Sequence, residues 1–281
     1  MAGRLDRVHR RHRPAGGWWG TTLLLVLLLQ GPPVPAALLP VVIIIDDLGR
    51  DLALGERVLA LPGPVACAFL PHEPYTVSLA ERAHAGGKEV LLHLPMQAVA
   101  DRPLDAGGLT LDMTRWELRA TLARDLALVP HVSGVNNHMG SLMTRHPGDM
   151  AWLMDELRTR GLFFVDSRTT RFTVARQVAR ERGVPSLERD VFLDPYSARH
   201  APMSQFRVLV GEARRQGYAV AIGHPYPATL DMLERVLPRL RQWGITLVSI
   251  HRLLRDLREE PAWRLSSYPL PPASRKSRPS P

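Results

Sequence analysis

The chain has 281 residues, of which 45% are hydrophobic, so it is long enough to bury the core of one large α/β domain. Its formal charge of +9 is concentrated at the two ends: residues 1–14 carry +4 and residues 261–281 carry another +4, which leaves +1 for the residues between. A nearly neutral body lacks the basic stripe that nucleic-acid binding requires, so no nucleic-acid partner is expected.

Residues 1–37 are predicted to be a targeting segment. An arginine-rich start precedes the apolar run WWGTTLLLVLLL over residues 18–29, and small residues follow at Ala36 and Ala37. This run has the length of a signal-peptide core and falls short of the roughly 20 residues that span a membrane. The segment is interpreted as a signal peptide or, alternatively, as an uncleaved signal anchor. The protein is therefore expected to be exported to the periplasm, with membrane contact only through this segment.

After residue 40 the sequence alternates short apolar runs with longer amphipathic segments, a pattern typical of a parallel sheet covered by helices. Eight strands are predicted, at residues 41–46, 65–70, 89–94, 134–139, 162–166, 191–194, 218–224 and 245–250. Two of the helical segments between them, 149–161 and 206–217, end on the glycine expected just past a helix C-terminus. Eight strands with helical crossovers predict an α/β fold, either a barrel or a partly open version of one.

The barrel domain is predicted to occupy residues 38–258. The following residues, 259–281, are rich in proline, serine and basic side chains, a composition that cannot bury a core. A disordered tail is predicted there.

Ionisable side chains recur at the carboxyl ends of the predicted strands, where parallel α/β folds gather their ligands. They are Asp46, Asp47, His93, His138, Asp166, Asp194 and His224. Taken singly, a strand-end aspartate commonly caps a helix, and a lone histidine is commonly a loop residue. Many such groups on one rim are costly to bury without mutual pairing or a metal ion. Because two histidines and a carboxylate form the usual catalytic zinc arrangement, the pattern predicts a divalent-metal site at this rim.

Five motifs, taken in order, resemble the divergent polysaccharide deacetylase family, a branch of the NodB-like carbohydrate esterases. The motifs are IIIDDLG, LLHLPMQ, GVNNHMGSLMT, FFVDSRTT and AIGHP, and the resemblance covers residues 40–255. It implies the NodB-like deacetylase fold, which is a distorted (β/α) barrel. It also implies metal-dependent removal of N-acetyl groups from an envelope or other polysaccharide.

The resemblance assigns the general base to Asp46 and a metal ligand to Asp47. The His-x-x-x-His motif of ordinary members begins at His93, but its second position here is Gln97, whose amide is a poor zinc ligand. The expected replacement is His138 in NNHMGS. The metal set implied by the resemblance is therefore Asp47, His93 and His138, with Zn²⁺ as the expected ion.

Other rim residues are given supporting roles. His224 is expected to protonate the leaving amine, and Asp166 is expected to orient His224 or to stabilise its charged form. Asn136, Asn137 and Ser141 are candidate donors to substrate hydroxyls or to the oxyanion. An asparagine beside a strand end equally commonly closes a turn.

Two other functions stay open from the sequence. Gln97 and the absence of the Arg-Pro-Pro-x-Gly type motif of ordinary deacetylases favour a catalytically degenerate periplasmic protein that binds glycans or assists envelope assembly and retains the metal cleft. The second is a metallohydrolase that acts on another amide or on an ester, because a fold does not fix its substrate.

Overall fold

The structure is a computed structural model that describes residues 37–100, 102–195 and 201–259. The strands are β1 (Leu39–Leu48), β2 (Ala66–Phe69), β3 (Val90–Met96), β4 (Val132–Met139), β5 (Phe163–Asp166), β6 (Ser186–Glu188), β7 (Val191–Phe192), β8 (Ala219–Gly223) and β9 (Ile245–Leu247). The helices are α1 (Leu52–Ala60), α2 (Thr76–Ala85), α3 (Arg115–Leu128), α4 (Pro147–Thr159), α5 (Ala175–Glu181), α6 (Pro202–Gln216), α7 (Pro227–Val236) and α8 (Ile250–Glu259). The predicted targeting segment up to Ala36 and the predicted tail from residue 260 onwards lie outside the described residues.

All of these strands belong to one parallel sheet in the order β6-β5-β4-β3-β2-β1-β8-β7, and β9 pairs with residues 39–41 of β1. Within the described residues the edge strands β6 and β7 do not pair with each other, so the sheet curls into a barrel that stays open on one side. The predicted α/β fold, a distorted (β/α) barrel, is confirmed. The run at residues 245–250 was predicted as a single strand, but it divides into β9 and the start of α8.

β1 lies in the middle of the sheet because both of its faces are apolar. Val41, Ile43 and Ile45 belong to a large cluster that packs against α1 to α7, whereas Val42 and Ile44 belong to a smaller cluster that includes α8. Alternate side chains of a strand point to opposite faces, so a strand covered on both sides carries a continuous β-branched run. We call the side with the smaller cluster the inner face and the side under α1 to α7 the helix-covered face.

The two helices expected to end before a glycine are present as α4 and α6. Gly161 and Gly217, which follow them, have φ of 68° and 89°, a left-handed conformation that favours glycine at a helix end. Among the helices that the structure describes, none is both long and apolar enough to cross a bilayer.

Candidate active site

Three of the predicted site residues, Asp46, His93 and His224, meet at the carboxyl ends of the strands because they share the parity of the inner face. Asp46 lies two residues after Ile44 on β1, and His93 lies two residues after Leu91 on β3, so both side chains point to the inner face. His224 lies two residues beyond Ile222, the last inner-face residue of β8. The inner face therefore changes from apolar to ionisable at the rim of the barrel.

Asp47 reaches the same rim although its neighbour Asp46 already faces inward. Its backbone is left-handed, with φ of 58°, and the register of β1 against β2 shifts between Ile45 and Leu48. A bulge of this kind redirects a side chain that would otherwise point to the opposite face. The local distortion of β1 thus places two adjacent carboxylates in one site.

The three predicted metal ligands form a compact triangle. Asp47 Oδ1 lies 3.2 Å from His93 Nε2 and 3.0 Å from His138 Nδ1, and the two ring nitrogens are 3.1 Å apart. Ligand atoms of a tetrahedral zinc ion with bonds of about 2.05 Å are about 3.3 Å apart. One ligand atom from each of the three side chains lies within 4.8 Å of the other two. The donor set and its spacing fit a divalent cation.

Asp47 has the electrostatics of a metal ligand. Its Oδ1 is buried and makes no well-directed hydrogen bond in the described part of the chain, although two ring nitrogens lie close to it. Burial alone would raise the pKa of Asp47, but the contacts with His138 and His93 hold the pKa of this carboxyl well below its usual range. Asp47 is therefore ionised at neutral pH.

Each ligand histidine is held through its second ring nitrogen. His93 Nδ1 lies 3.0 Å from Asn136 Oδ1, and His138 Nε2 lies 3.0 Å from Asp105 Oδ2. An acceptor at the outer nitrogen fixes the ring and leaves the inner nitrogen free to bind a metal. Arg50 Nη2 holds Asp105 in turn at 2.6 Å. Asp105, which lies in the loop between β3 and α3, was not predicted as a site residue.

Gln97 does not contribute a ligand. Its Oε1 accepts a hydrogen bond of 2.9 Å from Leu111 N, and its backbone N–H donates to Leu109 O at 2.9 Å. Both bonds fasten the loop that carries Asp105 to the end of β3. The residue at the position of the second motif histidine thus supports His138 indirectly, through the loop that holds its orienting carboxylate.

Asp46 has the surroundings of a general base. It is 2% exposed, and its Oδ1 accepts a hydrogen bond of 2.8 Å from Asn136 Nδ2. Its Oδ2 lies 3.6 Å from His93 Nε2. Burial raises the pKa of Asp46 above its usual value, although the nearby charge of His93 opposes the rise. A carboxylate with a raised pKa and one oxygen facing the site is suited to accept a proton.

His224 is oriented by Asp194, at the end of the neighbouring strand β7. Asp194 Oδ1 lies 2.8 Å from His224 Nδ1, so the ring directs Nε2 toward the site, 4.0 Å from Asp47 Oδ2. Burial lowers the pKa of His224, but the hydrogen bond and the charge of Asp194 outweigh it and raise this pKa to about 9. The ring is therefore protonated at neutral pH, as a general acid requires.

The predicted pairing of Asp166 with His224 is wrong. Asp166 Oδ1 accepts from Arg168 N and its Oδ2 from Thr173 Oγ1, both at 2.8 Å. Strand parity explains the difference, because Asp166 alternates with Phe164 on the helix-covered face of β5. Asp194 follows Leu193, which lies in the helix-covered cluster, so the side chain of Asp194 points to the inner face. Because β7 pairs with β8, Asp194 is next to His224.

The predicted substrate contacts of two asparagines are also wrong. Asn136 and Asn137 are 0% and 1% exposed, so neither amide reaches a substrate. Asn136 joins His93, a predicted metal ligand, to Asp46, the predicted base, and Asn137 binds the backbone of Met139 and Ser167 at 2.9 Å each. Ser141 is partly exposed and its Oγ accepts a backbone hydrogen bond, so its contact with substrate stays a prediction.

Two relatives in other bacteria share most of this chain. An uncharacterized protein of Haemophilus influenzae and the uncharacterized protein YibQ of Escherichia coli K12 are each 37% identical to it over 212 residues. In both cases the match spans 75% of this chain, and it covers 75% of the first protein and 66% of the second.

The chain also matches a solved structure and a family model. The uncharacterized protein ATU2773 of Agrobacterium tumefaciens C58 has the same fold, with a TM-score of 0.73 and 20% identity, over 79% of this chain and 92% of that one. The model of the divergent polysaccharide deacetylases matches residues 43–254, which include all the residues of the metal triangle. The chain therefore belongs to the divergent polysaccharide deacetylase family.

Proposed function

We propose that this protein is an exported, divalent-metal-dependent hydrolase that removes N-acetyl groups from a polysaccharide of the cell envelope. The observation that carries the proposal is the triangle of Asp47, His93 and His138, with a buried carboxylate and a protonated histidine beside it. Family membership supports the reaction class. The predicted targeting segment supports export.

The metal ligands define what a cation contributes. When bound at Asp47, His93 and His138, a divalent cation such as Zn²⁺ supplies a Lewis acid that makes water more acidic and polarises the amide carbonyl. The outer contacts of the two rings fix their orientation and direct their inner nitrogens toward that position.

The proton transfers fall to two side chains. Asp46 takes the proton of the attacking water at Oδ2, because Oδ1 is held by Asn136. The water oxygen forms a bond with the carbonyl carbon, and the electron pair of the breaking C–N bond moves to nitrogen. His224 donates its Nε2 proton to that nitrogen, and Asp194 stabilises the charged ring before transfer. The products are acetate and the free amine of the sugar.

Metal analysis of the purified full-length chain tests the site. The wild type, reconstituted with Zn²⁺ and desalted, is expected to retain one ion per chain, and the His93→Ala and His138→Ala variants are each expected to lose it. A His146→Ala variant, altered at an exposed histidine outside the triangle, is expected to retain it. Retention of the ion by both ligand variants would contradict the assignment.

Acetate release tests the reaction. The zinc-loaded protein is expected to release acetate from N-acetylglucosamine oligosaccharides or peptidoglycan fragments. The Asp46→Asn variant is expected to keep its ion and to lose about 10²–10⁴-fold in rate. No acetate from any of these substrates, in a protein that holds its metal, would contradict the proposal.

A glycan-binding protein without turnover is the second candidate, and Gln97 at the position of the second motif histidine is the observation that favours it. Such a protein would bind the same oligosaccharides with an affinity that Asp46→Asn leaves unchanged, and it would release no acetate. Binding and acetate release, measured on the same two proteins, therefore separate the two candidates.

Export has its own test. N-terminal sequencing of the protein recovered from its native host is expected to find a mature chain that starts near residue 37, or a membrane-bound chain if the segment is an anchor. A cytoplasmic protein that begins at Met1 would contradict export.

A further inference from the structure

A cavity of about 420 Å³ opens beside β5 and α5, next to the rim that carries the metal triangle. Four arginines line it: Arg168, Arg171, Arg176 and Arg180. We call this cavity the arginine pocket. It is distinct from the site described above, because none of the metal ligands, Asp46 or His224 lines it.

The acidic groups of the arginine pocket are already engaged. Glu188 pairs with Arg176 at 2.8 Å, and Glu181 accepts a hydrogen bond of 2.9 Å from Gln177. Asp166 accepts from the Arg168 backbone and the Thr173 hydroxyl. Of the three acidic side chains that line the pocket, only Glu188 forms an ion pair with a described residue, and the four arginines exceed the three carboxylates by one charge.

Two of the four guanidinium groups have no acidic partner. Arg171 and Arg180 are exposed, and neither makes an ion pair with any carboxylate in the described part of the chain. The pocket therefore has a surplus of positive charge. Arginine presents its donors as a planar fork that matches carboxylate and phosphate oxygens.

The backbone of one lining residue, Arg168, is held in a conformation that is costly for a residue other than glycine. Arg168 has φ of 47°. Its N–H donates to Asp166 Oδ1 at 2.8 Å, and its carbonyl accepts from Arg189 Nη2 at 2.9 Å. Strain of this kind persists where neighbours impose it and is concentrated at functional sites. The position of Arg168 is thus set by its surroundings.

The arginine pocket adjoins the proposed catalytic residues through the end of β5, because Asp166 lines the pocket. Ser167, which follows Asp166, has its Oγ 3.4 Å from Asn136 Nδ2, and that amide donates to Asp46 at 2.8 Å. The metal centre and the arginine pocket therefore flank the same strand end.

An exposed aromatic ring lies beside the arginine pocket, against one of the arginines that line it. Phe172 is 54% exposed, and the guanidinium carbons of Arg145 and Arg171 lie 5.3 Å and 4.6 Å from its centroid. Arg145 belongs to the segment that follows β4, the strand of His138. An exposed ring between cations offers an apolar surface for one face of a sugar with charged donors on either side.

We propose that the arginine pocket binds a negatively charged substituent, a carboxylate or a phosphate, on the same glycan chain whose N-acetyl group enters the metal centre. The proposal rests on the function proposed above and names its substrate class: an anionic N-acetylated glycan. Arg171 and Arg180 bind the anion, and Phe172, which lies against Arg171, contacts the sugar that carries it.

Binding to the metal-free, full-length protein tests the pocket without turnover. Calorimetry compares three probes: the neutral N-acetylglucosamine tetrasaccharide, a tetrasaccharide in which alternate sugars carry a lactyl carboxylate, and the neutral tetrasaccharide carrying one 6-phosphate. At least one anionic probe is expected to bind about tenfold more tightly than the neutral one. The carboxylate and phosphate arms identify which anion the pocket takes.

Variants test whether a preference for the anionic probes comes from the arginine pocket. The double variant Arg171→Gln/Arg180→Gln is expected to bind all three probes with the affinity of the neutral one. Arg235→Gln removes an exposed arginine of α7 far along the chain from the pocket and is expected to keep the preference. Equal binding of the three probes by the wild type, or a preference that survives in the double variant, would overturn the proposal.

Acetate release by the zinc-loaded protein separates this proposal from the function on which it rests. An arginine-dependent preference without acetate from any probe would support the pocket and overturn the deacetylase. Acetate from the neutral probe at the rate of the anionic ones, with equal binding, would support the deacetylase and overturn the pocket.

Discussion

Asp194 contacts His224 at two points: its Oδ2 accepts a hydrogen bond of 2.7 Å from the backbone N–H, and its Oδ1 lies 2.8 Å from the ring Nδ1. Thr229 Oγ1 donates a further bond of 2.7 Å to Oδ2. The Asp194 side chain is buried, so its charge acts on the ring with little screening by water. The pair fixes both the orientation and the protonation state of the histidine.

Replacing Asp194 with asparagine is expected to lower the pKa of His224. In the metal-free wild type the ring titrates near pH 9, and the loss of an adjacent negative charge lowers such a pKa by about 1–3 units. NMR titration of the His224 ring measures the change. Thr229→Val removes a neutral hydrogen bond to Asp194 and is expected to leave the titration near its wild-type position. An unchanged pKa in Asp194→Asn would contradict the assignment.

The same pair is expected to make stability depend on pH. The pKa of His224 is about 9 in the folded protein, above its ordinary value of about 6.5. The charged pair therefore stabilises the fold in full below about pH 6.5, and this contribution disappears as the pH rises through about 9. The free energy of unfolding in urea, wild type minus Asp194→Asn, is expected to be about 2 kcal/mol larger at pH 6 than at pH 9.5. If the difference in free energy of unfolding between the two proteins is the same at both pH values, the pair of Asp194 and His224 does not make stability depend on pH.

Asp105 is expected to control metal affinity through His138. Asp105→Ala removes the carboxylate 3.0 Å from His138 Nε2, and the loss of such an outer partner lowers metal affinity by about 10–100-fold. A competition titration with a zinc chelator measures the affinity. Glu73→Ala is the matched control, because Glu73 binds the same Arg50 at 2.8 Å without contact to the histidine. Equal affinities of the two variants would contradict the role of Asp105.

The sequence pattern was sufficient for most of the fold. Long β-branched runs such as residues 41–46 are unambiguous, since a strand buried on both faces needs side chains of this type. β6 was missed because Ser186–Glu188 is too short to show a period. The sequence also could not predict which strand pairs with the last predicted strand, because the pairing of β9 with β1 depends on how the sheet curls.

The site was predicted less completely than the fold. The metal ligands are strand-end residues in recognisable motifs, and the structure brings them together. Asp105 lies in a loop without periodicity, so no local signal connects it to His138. Asp194 was visible as a rim residue, but its partner depends on which strands are neighbours and on which face each side chain lies. Those two properties belong to the assembled sheet and cannot be read from a motif.

Replacing Asn136 with leucine is expected to lower the free energy of unfolding of the protein. Its amide is buried and bonds both His93 Nδ1 and Asp46 Oδ1, so Asn136→Leu leaves two buried polar groups each without one partner. The expected loss is about 2–4 kcal/mol in the free energy of unfolding. Ser133→Ala on the same strand removes a single partly buried bond and is expected to cost about 1 kcal/mol. If Asn136→Leu lowers the free energy of unfolding no more than this control does, the hydrogen bonds of Asn136 to His93 and Asp46 contribute little to stability.

Two glycines, one within α6 and one directly after it, are expected to respond with opposite signs to the same substitution. Gly211 lies within the exposed part of the helix, and a Cβ added there meets nothing within 4 Å. Gly211→Ala is therefore expected to stabilise the protein by about 0.5–1 kcal/mol, because alanine restricts the unfolded chain and favours the helix. Thermal or urea unfolding measures the change.

Gly217 ends the same helix with φ of 89° while its N–H donates to Ala213 O at 2.9 Å. Alanine at this left-handed position is strained, so Gly217→Ala is expected to destabilise the protein by about 1–2 kcal/mol. The two variants differ in backbone conformation but not in the atoms added. Stabilisation by both, or destabilisation by both, would show that helix propensity or packing, rather than the left-handed end of α6, decides the effect.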